Sequence, residues 1–348
     1  MQELEELVSR IQDRDIKEKQ LVKSLDNHLL PLFCIFYFAD YLDRANIGNA
    51  ALMGIQDDLK MTDGQLSFAI SAFYITYIIF HVPSNVIMKR TNASIWLSSI
   101  MFAWGTITIV TAFVRNFAGL LSCRLILGVA ESGYIPGILY QLSSVYKPRE
   151  LGIRIAVMLC MSQLSGIVSG PIAYGTSFLE GRMHMHGWQY LFILEGVPTV
   201  VLSIASYCLL FDDVNTVSWL TDEQKALQQY RMTENRPLRS KHTHVTLSTF
   251  KEALVDWKLW LFAITYLCNA TNMTSASIFA PRIIDGFGFT VLQSQLLTAP
   301  PSLVSSALVI LSGYFVDKYY RFPFMLVGFA LLAIGYGLLL VLDTPWCK

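Results

Sequence analysis

The stretch LLPLFCIFYFADYLDRANIGNAA, residues 29–51, is mostly apolar and yet carries three charged side chains. A helix needs roughly 20 mainly apolar residues to cross a bilayer, so this stretch is predicted to be a membrane span. Eight further runs meet the same requirement, at 66–88, 94–113, 117–140, 153–178, 188–211, 258–280, 294–316 and 322–342. The sequence therefore predicts an all-α membrane protein with nine spans, which are numbered below in chain order.

The composition agrees with a membrane protein, because 53% of the 348 residues are apolar and only 15% are charged. Soluble domains average about 25% charged residues. Lys and Arg together number 26, as do Asp and Glu, so the chain has no excess of positive charge for binding nucleic acid. The composition thus disfavours a soluble enzyme and a nucleic-acid binder.

Neither a metal site nor an enzyme active site is expected. The pairs His184 with His186 and His242 with His244 each lack further ligands, and the cysteines have no disulfide or zinc spacing. A membrane-embedded enzyme would need a nucleophile–base pair or a metal-ligand cluster near a membrane face, and the sequence offers neither. We therefore expect no cofactor.

Most of the Lys and Arg residues fall on one side of the predicted spans. If the N-terminus is cytoplasmic, the outer segments contain only Lys60, Arg115, Arg182, Arg282 and Lys348. Cytoplasmic loops of membrane proteins carry the excess of Lys and Arg. The pattern therefore predicts a multi-pass protein whose N-terminal segment, residues 1–28, is cytoplasmic.

A long polar stretch, residues 212–257, divides the spans into two blocks. The block at 29–211 contains six spans, and the block at 258–348 contains three. Within the polar stretch, Thr221 and Gln224 have the spacing of a helix capping box. The stretch is predicted to be a cytoplasmic linker that contains a short helix.

Sequences after spans eight and two suggest an internal repeat. Span eight leads into Gly313-Tyr314-Phe315-Val316-Asp317-Lys318-Tyr319-Tyr320-Arg321, and span two leads into the basic pair Lys89-Arg90. Span eight then corresponds to span two in a second half of the molecule. By the same count the counterparts of spans four to six are missing, so we expect an incomplete C-terminal bundle in a chain truncated at its C-terminus.

Span one carries four polar side chains, Tyr37, Asp40, Asp43 and Arg44, whose spacing of three and four residues predicts one helical face. Ionisable groups inside a span are costly and are functional candidates by default. Two acids beside a fixed positive charge suit an anion site, lined by Tyr37 and Arg44, in which Asp40 and Asp43 handle a proton. The alternatives are an internal neutralisation of Asp43 by Arg44 and a cluster that snorkels to the helix end.

Three other spans contribute candidate site residues. In span four, Arg124 and Glu131 are seven residues apart and so share a face. Glu131 is predicted to carry a proton during coupling. Arg124 either takes part in this coupling or is a structural clamp. In span five, Gln163 either bonds a substrate or belongs to a packing seam, with packing favoured. In span seven, Asn269 and Asn272 either line a cavity or hold helices together. Glu195 in span six is expected to be a helix-packing partner.

Five motifs follow one another along the chain: Tyr41 through Ala50, Pro83-Ser84-Asn85, Gly128 through Gly137, Gly187 through Gly196 and Trp219 through Glu223. In this order they resemble the anion:cation symporter family of the major facilitator superfamily, in its fungal allantoate permease-like branch. The run from Gly313 to Arg321 fits the superfamily's inner-loop gating motif Gly-x-x-x-Asp-[Arg/Lys]. After span two only the basic pair of this motif, Lys89-Arg90, is retained. His81 departs from the family, which usually has Glu before Pro-Ser-Asn.

The resemblance implies the major facilitator fold, with a six-helix N-terminal bundle and alternating access around a midplane cavity. It also implies proton-coupled symport of a small organic anion, such as a vitamin, an allantoate-like compound or a sugar acid, at the plasma membrane. Arg44 would hold the anion, with Asp43 and Glu131 as proton carriers and Arg124 as their partner. The alternative is a truncated membrane protein that does not transport, and that associates with or regulates a full-length relative or is inactive. The oligomeric state is not predicted.

Overall fold

The computed structural model describes residues 13–234, 254–285, 299–318 and 321–341. Within these ranges the regular structure is helical and contains no strand. The helices are α1 (Arg14–Leu52), α2 (Ile55–Asp58), α3 (Asp63–Arg90), α4 (Ala93–Thr111), α5 (Phe117–Glu131), α6 (Tyr134–Val145), α7 (Leu151–Ser177), α8 (Gly187–Leu209), α9 (Asp222–Glu234), α10 (Trp257–Asp285), α11 (Ala299–Lys318) and α12 (Arg321–Val341).

The described helices fall into two compact units. The first contains α1 to α9 and the end of α11; the second contains α10, the start of α11, and α12. In the first unit the most extensive packing joins α4 to α8, α1 to α7, and α3 to α5. All the ion pairs discussed below lie in this first unit, which we call the N-terminal bundle.

Five segments among the described residues are long and apolar enough to cross a membrane: Asp63–Arg90, Ala93–Thr111, Phe117–Val145, Leu151–Ser177 and Gly187–Leu209. They match spans two to six of the sequence prediction. The predicted span one lies within α1, which is 39 residues long and carries Asp40, Asp43 and Arg44 in its second half. The predicted spans seven, eight and nine lie largely within α10, α11 and α12.

Span four is interrupted within the structure. The chain leaves the helix after Glu131, makes a turn at Ser132 and Gly133, and resumes as α6 at Tyr134. Pro136 explains the interruption, because a proline ring clashes with the carbonyl four residues earlier and lacks the donor for it. That carbonyl belongs to Ser132. Glu131 therefore occupies the last position of a helix rather than the middle of one.

Two glycines let α3 approach the end of α5 closely. A Cβ on Gly128 would lie 2.2 Å from Thr76 Oγ1, and a Cβ on Gly133 would lie 1.8 Å from Ser84 Oγ. Small residues at helix contacts in membranes permit this spacing. The contacts hold α3 against the segment that carries Glu131.

The linker helix α9 packs against the beginning of α1. Its capping box forms as the sequence predicts, since Gln224 N donates to Thr221 Oγ1 at 3.3 Å and Thr221 N donates to Gln224 Oε1 at 3.1 Å. Leu220 and Leu227 are buried in one apolar cluster with Leu21, Leu25 and Leu29 of α1. This docking makes α9 part of the N-terminal bundle.

Ion pairs reinforce the same end of the bundle. Arg154 Nε and Nη2 donate to the two carboxylate oxygens of Asp26 at 2.6 and 2.7 Å, which is a bidentate pair between α7 and α1. Arg231 of α9 donates to Glu150 at 2.7 Å. Burial and the neighbouring Asp26 carboxylate raise the pKa of the Tyr146 hydroxyl above its usual range.

Candidate functional site

Arg44 is the centre of a buried ionic cluster that we call the Arg44 cluster. Its Nε donates to Glu131 Oε1 from α5, and its Nη2 lies 3.3 Å from Asp40 Oδ2, one turn earlier on α1. Asp40 is 0% exposed and Glu131 is 1% exposed, whereas the Arg44 side chain is 20% exposed. One cation thus serves two acids, so the cluster carries an excess negative charge whenever both acids are ionised.

Two tyrosine rings flank the Arg44 guanidinium. The ring centroids of Tyr41 and Tyr77 each lie 5.2 Å from its central carbon, which is within cation–π range. Arg44 Nη2 also lies 3.5 Å from the Tyr77 hydroxyl oxygen. The rings and the two carboxylates together fix the orientation of the guanidinium plane.

A small cavity of about 20 Å³ adjoins the cluster. It is lined by Arg44, Ile47, Ile70, Phe73, Tyr74, Arg124, Leu127 and Glu131. Arg124 is 4% exposed, and its Nε and Nη2 have no hydrogen-bond partner among the described residues. Buried polar groups are normally satisfied by protein or by ordered water, and a cavity of this size holds about one water. Two guanidinium groups and one carboxylate therefore border a space that suits a polar occupant.

Asp43 belongs to a second buried network, formed with α4 and α8. Its Oδ2 accepts from Trp104 Nε1 at 2.8 Å and from Thr199 Oγ1 at 3.3 Å, and its Oδ1 accepts from Asn46 Nδ2 at 3.5 Å. The adjacent Glu195 is 3% exposed, and neither of its carboxylate oxygens has a hydrogen-bond partner in the described part of the chain. This network ties α1 to α4 and α8 through a single carboxylate.

The two networks divide the acids that the sequence placed on one face of span one. Asp40 pairs with Arg44, whereas Asp43 accepts a hydrogen bond from Trp104. Asp43 therefore does not neutralise Arg44, which was the alternative that the sequence left open. Each helical residue turns the side-chain direction by 100°, and neighbouring residues such as Asp43 and Arg44 therefore reach different helices. The expected pairing of Arg124 with the acids is also not formed in this conformation, because Glu131 bonds to Arg44 instead.

The other candidates from the sequence stand apart from these hydrogen bonds. Tyr37 is buried and packs on the Tyr41 ring, with 4.8 Å between the centroids, and Gln163 is half-buried on α7. Asn269 is exposed on α10 in the second unit, and the side chain of Asn272 lies outside the described residues. These residues remain predictions for substrate binding.

The expected inner-loop gating motif is described in part. Gly313 is buried where the end of α11 meets α7, and a Cβ there would lie 2.5 Å from Ala156 Cβ. Lys318, Lys89 and Arg90 are exposed at helix ends. The side chains of Asp317 and Arg321 lie outside the described residues.

Three residues of the site were missed by the sequence analysis: Tyr77, Trp104 and Thr199. Each lies in an apolar run and carries one polar atom, so composition gave no reason to separate it from core residues. Trp104 and Tyr77 are among several indole and phenol donors inside the predicted spans, and the sequence does not show which acid each donor reaches.

Comparison with known proteins gives a consistent family. The family model described as Major Facilitator Superfamily matches residues 33–347. The "MFS transporter prlL" of Fungal sp. (strain NRRL 50135) is 34% identical over 308 residues, which cover 86% of this chain and 62% of that protein. The "MFS-type transporter efuF" of Hormonema carpetanum is 31% identical over 335 residues, covering 96% and 68%. The chain thus spans about two thirds of the length of these relatives.

One bacterial relative and two solved structures agree with this family. The "Putative tartrate transporter" of Agrobacterium vitis is 29% identical, covering 91% of this chain and 72% of that protein. The proton:xylose symporter XylE, solved with 6-bromo-6-deoxy-D-glucose, has a TM-score of 0.64 at 13% identity and covers 86% of this chain and 71% of its own. A bacterial homologue of the lysosomal transporter Spinster, inward-facing and unoccupied, has a TM-score of 0.59 at 18% identity, with coverages of 84% and 63%. At these identities the structures show a shared fold.

The buried charges inside an all-helical bundle, the family model and the relatives lead to one conclusion. The relatives are named as transporters, not as enzymes. The chain belongs to the major facilitator superfamily, a family of multi-pass membrane transporters.

Proposed function

We propose that this chain forms part of a secondary transporter that carries a small organic anion together with protons by alternating access. The observation that carries the proposal is the Arg44 cluster, in which a guanidinium inside a transporter bundle is held by two buried acids beside a cavity. Intramembrane charges are costly, and they mark substrate or proton pathways in transporters. The motifs of the anion:cation symporter family support the same assignment.

Competition for the Arg44 guanidinium would couple the proton to the anion. With Glu131 ionised, Arg44 Nε is engaged. A proton on Glu131 removes that charge-assisted bond and leaves the guanidinium with Asp40 and a free edge. A substrate carboxylate can then bind that edge, because the planar guanidinium can donate two parallel hydrogen bonds to one carboxylate.

Arg124 would strengthen the preference for an anion. Its buried guanidinium borders the same cavity, and its Nε and Nη2 have no hydrogen-bond partner among the described residues, so a negatively charged group there gains more than a neutral one. We also propose Tyr37 and Gln163 as substrate-binding residues of the N-terminal bundle. Asn269 and Asn272 are proposed separately as substrate-binding residues of α10. One relative is named as a putative tartrate transporter, so tartrate is a natural first probe.

The gating and topology assignments are part of the same proposal. Gly313, Asp317, Lys318 and Arg321, with the pair Lys89-Arg90, would form the inner-side gating motif. The distribution of Lys and Arg supports a cytoplasmic N-terminus, and the family resemblance supports the plasma membrane.

Uptake into proteoliposomes tests the proposal, with radiolabelled tartrate, allantoate, nicotinate and gluconate as the probes. Wild-type protein should accumulate at least one probe when the outside is acidic. Arg44→Ala should reduce that uptake by roughly 10- to 100-fold, the equivalent of a lost charge-assisted hydrogen bond. Arg115→Ala removes an exposed arginine from a loop and is the matched control. Wild-type uptake by the Arg44→Ala variant, or no uptake of any probe by the wild type, would refute the proposal.

A further inference from the structure

Glu195 is a buried acid that the transport proposal does not use. It lies within α8, is 3% exposed, and has no hydrogen-bond partner on either carboxylate oxygen among the described residues. An ionised carboxylate in such surroundings is strongly disfavoured, because neither water nor a donor replaces its hydration. The acid therefore needs either a cation or a proton.

In the described part of the chain, no cation forms an ion pair with Glu195. It faces Asn46 and Asp43 of α1, and Thr199 lies one turn further along α8. Among the described residues, Asp43 receives hydrogen bonds only from neutral groups, namely Trp104, Thr199 and Asn46.

The nearby arginines are not hydrogen-bonded to either acid. Arg44 is occupied by Asp40 and Glu131. Arg124 lies close enough to influence Asp43 but donates no hydrogen bond to it. Asp43 and Glu195 are therefore two neighbouring carboxyl groups without a directly paired cation.

Two such groups in a low-dielectric interior cannot both be ionised, so the pair holds a proton. The hydrogen-bond donors around the two acids decide which of them holds the proton. Asp43 accepts a hydrogen bond from the Trp104 indole at 2.8 Å, which stabilises its anion. Asn46 contributes a longer one, and Thr199 shares its hydroxyl hydrogen between Asp43 and the Glu195 backbone carbonyl. Glu195 has no comparable donor among the described residues beyond the nearby Asn46 side chain, so its charged form has less support than that of Asp43.

We infer that Glu195 is a neutral carboxylic acid in the resting bundle, so that Asp43 is the ionised member of the pair. The Glu195 hydroxyl is a donor beside the Asn46 amide, whose buried Oδ1 has no hydrogen-bond partner among the described residues. The negative charge of this network then resides on Asp43 alone, where Trp104 holds it in place. The inference concerns protonation at rest and stands whether or not the transport proposal holds.

Infrared difference spectroscopy of the purified, lipid-reconstituted chain at neutral pH tests this inference. A protonated carboxyl group gives a carbonyl-stretch band, separate from that of a carboxylate, which shifts in heavy water. This band should be present in the wild type, lost in Glu195→Gln and retained in Asp43→Asn. Asp57→Asn, which changes an exposed carboxylate, is the matched control and should leave the spectrum unchanged.

Every other pattern overturns the inference. Loss of the band in Asp43→Asn but not in Glu195→Gln would place the proton on Asp43, and loss in both would mean that Glu195 does not hold it alone. No change in either variant would assign the proton elsewhere. As a control for folding, Glu195→Gln should keep the thermal unfolding midpoint of the wild type, because Gln has the shape and charge of the neutral acid. A large fall in that midpoint would contradict a neutral Glu195.

Discussion

Arg44→Ala should destabilise the N-terminal bundle as well as remove the proposed anion contact. The substitution leaves Asp40, 0% exposed, and Glu131, 1% exposed, without their shared cation. Breaking a buried ion pair by removing one partner costs about 3–5 kcal/mol, because a charge is left uncompensated. The Arg44 side chain is 20% exposed, so we expect a value near the lower end, about 3 kcal/mol.

The thermal unfolding midpoint of detergent-solubilised protein is the assay. A change of 1 kcal/mol shifts the midpoint by about 2–4 °C in chains of 150–250 residues, so a loss of about 3 kcal/mol corresponds to a fall of about 6–12 °C. Adding Glu131→Gln to Arg44→Ala removes one of the stranded charges and should recover part of that fall. Comparing the midpoints of the single and double variants thereby separates the cost of an unpaired buried carboxylate from the cost of lost packing.

The double-mutant comparison can refute the ionic account. A midpoint unchanged in Arg44→Ala would mean that the two acids do not depend on this cation. An equal or larger fall in the double variant would show that the loss comes from packing around the guanidinium, because residues coupled through a charge should show non-additive effects.

Three further changes test the packing around the site, each read as a thermal unfolding midpoint. Asp26→Asn removes the bidentate carboxylate of the arginine on α7 and should cost about 1–3 kcal/mol, whereas Asp57→Asn should have no effect; equal midpoints would contradict the pair. Gly133→Ala should lower the midpoint because its Cβ would lie 1.8 Å from Ser84 Oγ, and Ser84→Gly in the same chain should restore it; no rescue would disprove the close contact. Trp104→Phe removes a 2.8 Å donor from a buried carboxylate and should cost about 1–3 kcal/mol; a neutral effect would argue against that hydrogen bond.

The helices were predictable because bilayer-spanning runs must satisfy their own backbone hydrogen bonds and cover them with apolar side chains. The break after Glu131 was not predicted, since the run stays apolar across it. The local signal was present in Pro136, whose effect on the carbonyl of Ser132 is a matter of geometry that hydropathy does not measure.

The site was predictable only to the level of single helices. The Asp40–Arg44 pair follows from a spacing of four residues on α1. The bond between Arg44 and Glu131 depends on how α1 and α5 pack, and one sequence does not contain that information. Asp43 was grouped with Arg44, yet its partner is Trp104 on α4, because adjacent residues on a helix reach different neighbours.

The central claim is that a proton on Glu131 releases Arg44 for a substrate anion, and Glu131→Gln tests it most directly. Proteoliposomes with a probe that the wild type transports should be compared in two modes, accumulation driven by a pH gradient and exchange of labelled for unlabelled probe without a gradient. The account predicts that Glu131→Gln loses gradient-driven accumulation and retains exchange. Equal loss of both modes, or full retention of both, would contradict it.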